Sequence, residues 1–306
     1  MTERLHLDPL PLGGAGSPPY SKGLMARALM VTGLAADRAY ELARRVESDL
    51  AERRADGLDL DRLQELAVET LGEGDGMRAV RRLRRYRDLA ELDVPVILLV
   101  GGGTGTGKST VATEAAHRLG ITRVTSTDFV RQTMRAFFSR EFMPAIHMSS
   151  FEAALALTKA EEEESGDAAL LGFLDQTRDV LVGVEAVLQR ALREGWSMVL
   201  EGIHLVPGMV PTDFENALVV PCCLAIHDED AHRGHFWIRD TSTGGLRPME
   251  RYLDNLPMIR SIQDYLVERA GRYDVPVIEN TSMDAALGAV LELVLTGAER
   301  LREQRR

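Results

Sequence analysis

Residues 102–109 combine glycines with a lysine and a serine in an order that suits phosphate binding. They read GGTGTGKS, follow the apolar run PVILLV and precede a helical stretch that begins near Thr110, which is the context that the G-x-x-x-x-G-K-[ST] motif requires. Glycines allow a tight turn whose N–H groups point at phosphate oxygens, and the helix adds the positive end of its dipole. Lys108 is predicted to reach the β- and γ-phosphates as a catalytic group, and Ser109 to bind Mg²⁺. The predicted loop residues are Gly103, Thr104, Gly105, Thr106, Gly107, Lys108, Ser109 and Thr110.

A carboxylate and two guanidinium groups follow the next strand candidate. Asp128, Arg131 and Arg135 are spaced i, i+3 and i+7, so they share one helix face near the carboxyl end of that strand. Ligands of open α/β sheets bind at this edge. A carboxylate can orient an acceptor hydroxyl, and guanidinium groups match phosphate or carboxylate geometry. Asp128 is therefore predicted to be catalytic and all three to bind an acceptor, the alternative being a helix N-cap with two surface arginines.

The polar residues after the third strand candidate extend this acceptor side. The run SMVLEGIHL ends in Glu201 and, three residues later, His204. A carboxylate at such a strand end commonly holds Mg²⁺ directly or through water, so Glu201 is predicted to act with Ser109, the alternative being a structural carboxylate. In the intervening HMSS stretch, one serine is expected to cap a helix from Phe151. The predicted acceptor-binding set is Asp128, Arg131, Arg135, His147, Ser149, Ser150, Glu201 and His204.

The segment 227–251 is rich in histidine, arginine and glycine. This composition suits a lid that closes over transferring phosphates, with Arg233 and Arg239 supplying positive charge. A basic surface loop is the alternative, and the histidines lack the ligand spacing of a zinc site. Farther on, Asn280 follows the last strand candidate and is predicted to form a wall of the nucleotide site.

The chain divides into three regions that differ in composition and in the spacing of their apolar residues. Residues 1–19 are rich in proline and glycine and are predicted to be a mobile arm. Residues 20–92 repeat apolar positions at helical spacing and predict a small helical domain. From residue 93 to 306, short apolar strands alternate with helices, which predicts an α/β domain with a parallel sheet. The strand candidates are Val96–Val100, Arg123–Ser126, Met198–Leu200, Leu218–Ile226 and Val275–Ile278.

Composition narrows the class of protein further. The 306 residues carry 36 basic and 47 acidic side chains, a net charge of −11, which argues against a nucleic-acid partner. The apolar runs are shorter than a membrane span, and the N-terminus lacks the apolar core of a signal peptide. The two cysteines, Cys222 and Cys223, lie side by side in an apolar run and are expected to be reduced, buried strand residues. These features predict a cytoplasmic protein without a membrane partner.

Beyond the loop motif, several stretches carry a resemblance to a known family. From Val94 to about Leu295 the chain resembles 2-phosphoglycerate kinases, through LLVGGGTGTGKSTVATEAAHRLGI, VTSTDFVRQTMR, HMSSFEA, VLEGIHLVPG and RYLDNLPMIRSIQDYLVERA. The resemblance implies a P-loop fold with a nucleoside-monophosphate-kinase-like parallel sheet and helices on both faces. Residues 20–92 resemble an ATP-cone, although the basic strand hairpin that usually opens a cone is missing.

The resemblance implies ATP-dependent phosphorylation of 2-phosphoglycerate to 2,3-bisphosphoglycerate, with ATP and a small anionic acceptor as ligands and Mg²⁺ as the cofactor. Another acceptor, such as 3-phosphoglycerate or an inositol or polyol phosphate, is the alternative within the kinase class. A nucleotide-sensing regulator that transfers nothing is the alternative outside it. The sequence leaves homo-oligomerisation open.

Overall fold

A five-stranded parallel sheet organises the second part of the chain. In this computed structural model, which describes residues 12–13, 19–90, 92–158, 167–242 and 248–305, neighbouring strands follow the order β2-β3-β1-β4-β5 and every described pair is parallel. All five predicted strands are confirmed, with small shifts at their ends. The strands are β1 (Val96–Gly102), β2 (Val124–Ser126), β3 (Met198–Glu201), β4 (Leu218–Ala225) and β5 (Val277–Glu279).

Helices cover both faces of the sheet, because its central strand is apolar on both sides. Val96, Leu98 and Val100 of β1 belong to one core cluster, and the alternating residues Ile97 and Leu99 belong to another. The predicted α/β fold class is thereby confirmed. The helices of this part are α5 (Lys108–Arg118), α6 (Thr127–Phe137), α7 (Ala168–Glu194), α8 (Glu229–Ser242), α9 (Met249–Asp254), α10 (Leu256–Arg272) and α11 (Met283–Gln304), with 3₁₀ segments at Ala145–His147 and Ser150–Ala156.

The first part of the chain is helical, as predicted. It contains α1 (Lys22–Val31), α2 (Ala36–Arg53), α3 (Leu60–Leu71) and α4 (Glu73–Ala90). At the starts of α1 and α3 a side chain satisfies a free N–H group: the Asp59 carboxylate, for example, accepts a hydrogen bond from the Arg62 N–H at 2.7 Å. Of the predicted arm, only residues 12, 13 and 19 are described, and the Leu12 carbonyl accepts from the Leu58 N–H at 2.7 Å.

The helical part and the sheet share one hydrophobic cluster, which runs from α1–α4 through α5 and α11 to β1 and β4. Polar contacts also connect the helical part to the helices that cover the sheet. Arg82 and Arg85 of α4 both bind Glu292 of α11, and Arg118 of α5 donates to the Met30 carbonyl at 2.9 Å. Two arginines of α4 therefore bind a partly exposed carboxylate of a helix that covers the sheet. The boundary at residue 92 and the ATP-cone assignment stay predictions.

Two further observations concern the cysteines and the apolarity of the helices. Cys222 and Cys223 are buried, unpaired residues of β4, as expected, and burial raises the pKa of the Cys223 thiol to about 11. Among the described residues, no helix combines the length and the apolarity needed to cross a membrane.

Candidate active site

The P-loop lies between β1 and α5, at the carboxyl edge of the sheet. Gly105 and Gly107 have φ values of 86° and 82°, which favour glycine. A side chain at either position would also collide, because a Cβ would lie 2.5 Å from the Phe236 ring or from the Asn280 amide. Lys108 is buried, and its Nζ donates to the Gly103 carbonyl at 2.6 Å. Burial lowers the pKa of Lys108, while nearby Glu201 and Asp128 oppose that shift.

Glu201 meets the P-loop from the end of β3. The Ser109 hydroxyl donates to Glu201 Oε1 at 2.9 Å, so the two residues predicted as metal ligands are direct neighbours. No cluster of three or more His, Cys, Asp or Glu side chains able to hold a metal occurs among the described residues. A pair of hard oxygen donors without a full protein cage fits Mg²⁺, which usually keeps waters and substrate phosphates as its other ligands.

Asp128 and Arg131 lie together at the start of α6, whose N-cap is Ser126. Asp128 is exposed, whereas Arg131 is buried and donates from one guanidinium nitrogen to the Ile146 and Met148 carbonyls at 2.9 and 2.6 Å. Its other guanidinium nitrogens lie 3.3–3.4 Å from Asp128 Oδ1. Arg131 therefore supports the 145–148 segment as well as lying beside the predicted acceptor site. Arg135, one turn farther on, contacts Gln132 at 3.1 Å.

The HMSS stretch leads into a 3₁₀ segment, and its serines do not cap it as expected. Ser149 occupies the N-cap position, but its hydroxyl makes no capping bond and instead accepts from Arg251 at 2.9 Å. Arg251 also binds Glu152 through two contacts, the shorter at 2.5 Å. Ser150 is buried within the segment, and His147 Nε2 pairs with the Phe138 carbonyl at 3.0 Å. These residues lie around the predicted acceptor site. The Ser149 hydroxyl is already hydrogen-bonded to Arg251.

His204 is fully buried in a polar chain, so its predicted contact with an acceptor would be indirect in this conformation. Its Nδ1 lies 2.9 Å from the Thr127 hydroxyl, and its Nε2 lies 3.0 Å from Gln176 Oε1. Gln176 uses its amide group to donate to the Ala145 and Met148 carbonyls at 2.6 and 3.1 Å. Since the amide oxygen can only accept, His204 carries its proton on Nε2 and accepts from Thr127 at Nδ1. Burial lowers the pKa of His204 to about 4, which keeps the ring neutral.

The predicted lid begins as helix α8, which packs on the P-loop. His232 Nε2 lies 2.8 Å from the Thr104 carbonyl, and His235 Nδ1 lies 3.0 Å from the Gly105 carbonyl. Arg233 is exposed and pairs with Glu229, one turn earlier, at 2.7 Å. Arg239 belongs to α8, but its side chain and residues 243–247 lie outside the described part of the chain. The catalytic roles of Arg233 and Arg239 stay predictions.

Asn280 follows β5 and braces the P-loop, since its amide donates to the Thr106 carbonyl at 3.0 Å. Beside the loop lies a cleft of about 540 Å³ between the length of α5 and the first turns of α11. The wall from α11 was not predicted from the sequence, although it follows Asn280 closely in the chain. The cleft is lined by Ser109, Thr110, Thr113, Glu114, Arg118, Met283, Asp284 and Leu287.

Sequence reasoning missed two buried glutamines near the site. Gln176 lies on the apolar stripe of α7, and Gln263 of α10 forms two 3.0 Å hydrogen bonds with the backbone of Ile226, just after β4. Both are fully buried. The available signal was a polar residue on an otherwise apolar helix face, since such a residue needs hydrogen-bond partners in the interior.

The parallel sheet, the loop after its central strand and the buried lysine define a P-loop protein of the kinase type. No family model matches the chain. It is 37% identical over 287 residues to the 2-phosphoglycerate kinase of Methanothermobacter thermautotrophicus, an alignment that covers 92% of this chain and 93% of that protein. The 2-phosphoglycerate kinases of Methanopyrus kandleri and Thermococcus kodakarensis are each 36% identical, with 90% and 89% of this chain and 84% and 91% of those proteins covered. The chain belongs to the 2-phosphoglycerate kinase family.

Proposed function

We propose that this protein transfers the γ-phosphoryl group of ATP to the free hydroxyl of 2-phosphoglycerate and forms 2,3-bisphosphoglycerate and ADP. The observation that carries the proposal is that polar residues from the ends of three strands lie at one edge of the sheet. Lys108 follows β1, Asp128 and Arg131 follow β2, and Glu201 ends β3. Phosphoryl transfer needs this combination of phosphate-binding charge, acceptor orientation and metal ligands, with little covalent work by the protein.

The nucleotide side is formed by the P-loop and the adjacent cleft. The loop N–H groups and Lys108 would bind the phosphates, after Lys108 exchanges the Gly103 carbonyl for phosphate oxygens. The cleft that begins at Ser109 and Thr110 has room for the ribose and base against Met283. Because Asn280 is buried and bonded to the loop, its proposed contribution is to shape the loop and not to contact the base.

Ser109 and Glu201 would hold Mg²⁺, directly or through water. The metal would neutralise charge on the β- and γ-phosphates as the bond between them breaks. The protein's own contribution is to keep the Ser109 hydroxyl and the Glu201 carboxylate side by side next to Lys108. Arg233 and Arg239 of α8 are proposed to add positive charge near the transferring phosphate.

On the acceptor side, Asp128 would orient the hydroxyl and accept its proton while the new oxygen–phosphorus bond forms. Arg131 would place a guanidinium edge near the acceptor's anionic groups while it holds the 145–148 segment. Arg135, His147, Ser149 and Arg251 complete a polar rim, and we propose that the Arg251–Ser149 contact opens when an anion binds. ATP and the acceptor are the proposed partners, in the cytoplasm; homo-oligomerisation stays a prediction.

The function is tested by incubating the protein with ATP-Mg and, separately, 2-phosphoglycerate, 3-phosphoglycerate and an inositol phosphate, with phosphorus NMR as the readout. We expect 2,3-bisphosphoglycerate and stoichiometric ADP with 2-phosphoglycerate at the highest kcat/KM. Turnover of another acceptor alone would refute the substrate assignment. Binding of ADP-Mg without turnover of any acceptor would refute transfer and favour a nucleotide sensor.

The role of Asp128 is tested by Asp128→Asn, which keeps the size of the side chain but removes its charge. We expect kcat to fall about 100-fold or more, the typical contribution of a positioned acid–base group, while the affinity for ADP-Mg stays within about twofold. Asp37→Asn is the matched control, because Asp37 is also an exposed carboxylate in the first turn of a helix, away from the site. Equal kcat values for both variants would exclude Asp128 from catalysis.

A further inference from the structure

Three successive carbonyl groups of the P-loop each accept a hydrogen bond from a side chain outside the loop. The Thr104 carbonyl accepts from His232 Nε2 at 2.8 Å, and the Gly105 carbonyl accepts from His235 Nδ1 at 3.0 Å. The third, that of Thr106, accepts from Asn280 Nδ2 at 3.0 Å. The donors come from helix α8 and from the end of β5, so the loop is held by elements that are distant in sequence.

Fixing a carbonyl also fixes the N–H group that follows it. The carbonyl of one residue and the N–H of the next belong to one rigid, trans peptide plane and point in opposite directions. A donor on the Thr104 carbonyl therefore sets the direction of the Gly105 N–H, and a donor on the Gly105 carbonyl sets that of the Thr106 N–H. The Thr106 N–H lies 3.5 Å from the Gly103 carbonyl, which also binds the Lys108 ammonium. The bond from His235 thus fixes the peptide plane whose N–H donates to the same carbonyl that binds the Lys108 ammonium.

His232 is held rigidly in its own position. Its side chain is fully buried and stacks on Phe236 with 5.1 Å between ring centroids, and Phe236 in turn lies against Gly105. Because a carbonyl can only accept, the His232 proton is on Nε2, and Nδ1 has no hydrogen-bond partner among the described residues. Burial lowers the pKa of His232, so the ring is neutral at physiological pH. The buried His232 ring therefore presents its Nε2–H to the Thr104 carbonyl in a fixed direction.

We propose that His232 and His235 are positioning residues of the nucleotide site, which hold the peptide planes of the P-loop in place before the nucleotide arrives. Neither histidine needs to touch the nucleotide for this role. A loop that is ordered in advance loses less conformational entropy on binding, so its affinity is higher. The proposal rests on the proposed ATP site and is independent of which acceptor is phosphorylated.

The test exploits the different ring nitrogens that the two histidines use. A glutamine amide nitrogen can reach the position of a histidine Nε2, and an asparagine amide nitrogen that of Nδ1. We expect His232→Phe, which retains the ring stack but not the donor, to weaken ADP-Mg binding in calorimetry about tenfold, the value of one lost hydrogen bond. His232→Gln should recover more of that affinity than His232→Asn. At position 235 the order should be reversed, with Asn better than Gln.

Kinetics supply the second readout. The KM for ATP should rise in His232→Phe and His235→Phe, while the KM for the acceptor changes less than twofold. His117→Phe is the control, since His117 is exposed on α5, and it should match the unmodified protein in both measurements. If His232→Phe fails to fold, the partly exposed His235 series decides alone.

Three results would overturn the proposal. Phenylalanine variants that bind ADP-Mg within twofold of the unmodified protein would show that the loop needs no donors from α8. The same amide preference at both positions would remove the assigned hydrogen-bond geometry. A loss of affinity that only parallels a loss of thermal stability would assign the histidines to the fold. Failure of the unmodified protein to bind any nucleotide would instead refute the proposed function.

Discussion

Gln176 is expected to be one of the most sensitive positions outside the P-loop, although it lies on a long helix far from the loop in sequence. Its amide belongs to a chain of hydrogen bonds in which each side chain donates to the next group. Thr127 donates to His204, His204 donates to Gln176, and Gln176 donates to the Ala145 and Met148 carbonyls. Gln176→Leu conserves approximate volume but removes one acceptor and two donors from the interior.

The cost in the free energy of unfolding depends on which hydrogen bonds each former partner of Gln176 retains. The Met148 carbonyl keeps its 2.6 Å bond from Arg131, and the Ala145 carbonyl keeps a 3.1 Å bond from the Met148 N–H. The His204 Nε2–H keeps no described partner, and a buried donor left unpaired costs about 1–3 kcal/mol. Two lost hydrogen bonds to carbonyls that remain bonded add roughly 1 kcal/mol. The free energy of unfolding should therefore fall by about 2–4 kcal/mol, which corresponds to roughly 3–6 °C in Tm for a chain of this size.

Urea unfolding measures this loss, and two-substrate kinetics measure its consequence for the acceptor side. Because Gln176 and Arg131 both bind the Met148 carbonyl, we expect Gln176→Leu to raise the KM for the acceptor more than the KM for ATP. Gln189→Leu, an exposed change on the same helix, is the control and should have little effect on either quantity. A Gln176→Leu protein with unchanged stability would refute the hydrogen-bonded chain, and equal rises in both KM values would refute its link to the acceptor.

Three further predictions concern charged groups. Lys108→Ala should lower kcat by about 100-fold or more, roughly 3 kcal/mol in the barrier, without loss of Tm; near-normal kcat in a folded variant would exclude the assigned role. Glu201→Gln should raise the Mg²⁺ concentration needed for half-maximal rate about tenfold at saturating ATP, and an unchanged Mg²⁺ titration would remove Glu201 from the metal site. Hydrogen bonds from Arg62 and charges from Arg53 and Arg62 hold the pKa of buried Asp49 below its ordinary value near 4 against the effect of burial. The contribution of this carboxylate to stability is complete above about pH 4 and is lost as the pH falls from there through its lowered folded-state pKa, so Asp49→Asn should cost roughly 2 kcal/mol at pH 7 and less at pH 3 by denaturant unfolding. Equal losses at both pH values would contradict the ion pair.

The P-loop and the strands were predictable from sequence because their signals are local. A strand followed by glycines, a lysine and a serine has few other uses, and a run such as Val96–Val100 is apolar on both faces only when both faces are covered. The strand-end rule also brought Asp128 and Glu201 to the correct edge, since parallel strands end together. These predictions required no knowledge of which helices pack where.

The sequence by itself therefore determined the class of fold, the position of the P-loop and the edge of the sheet at which Lys108, Asp128 and Glu201 lie. The tertiary structure decided which polar side chains are free and which are already bonded. His204 was predicted to meet the acceptor, yet lies in the interior between Thr127 and Gln176, and the expected serine cap gave way to a bond from Arg251, 102 residues farther along the chain. Hydrogen-bond partners of this kind depend on distances between elements, and a one-dimensional pattern does not contain those distances.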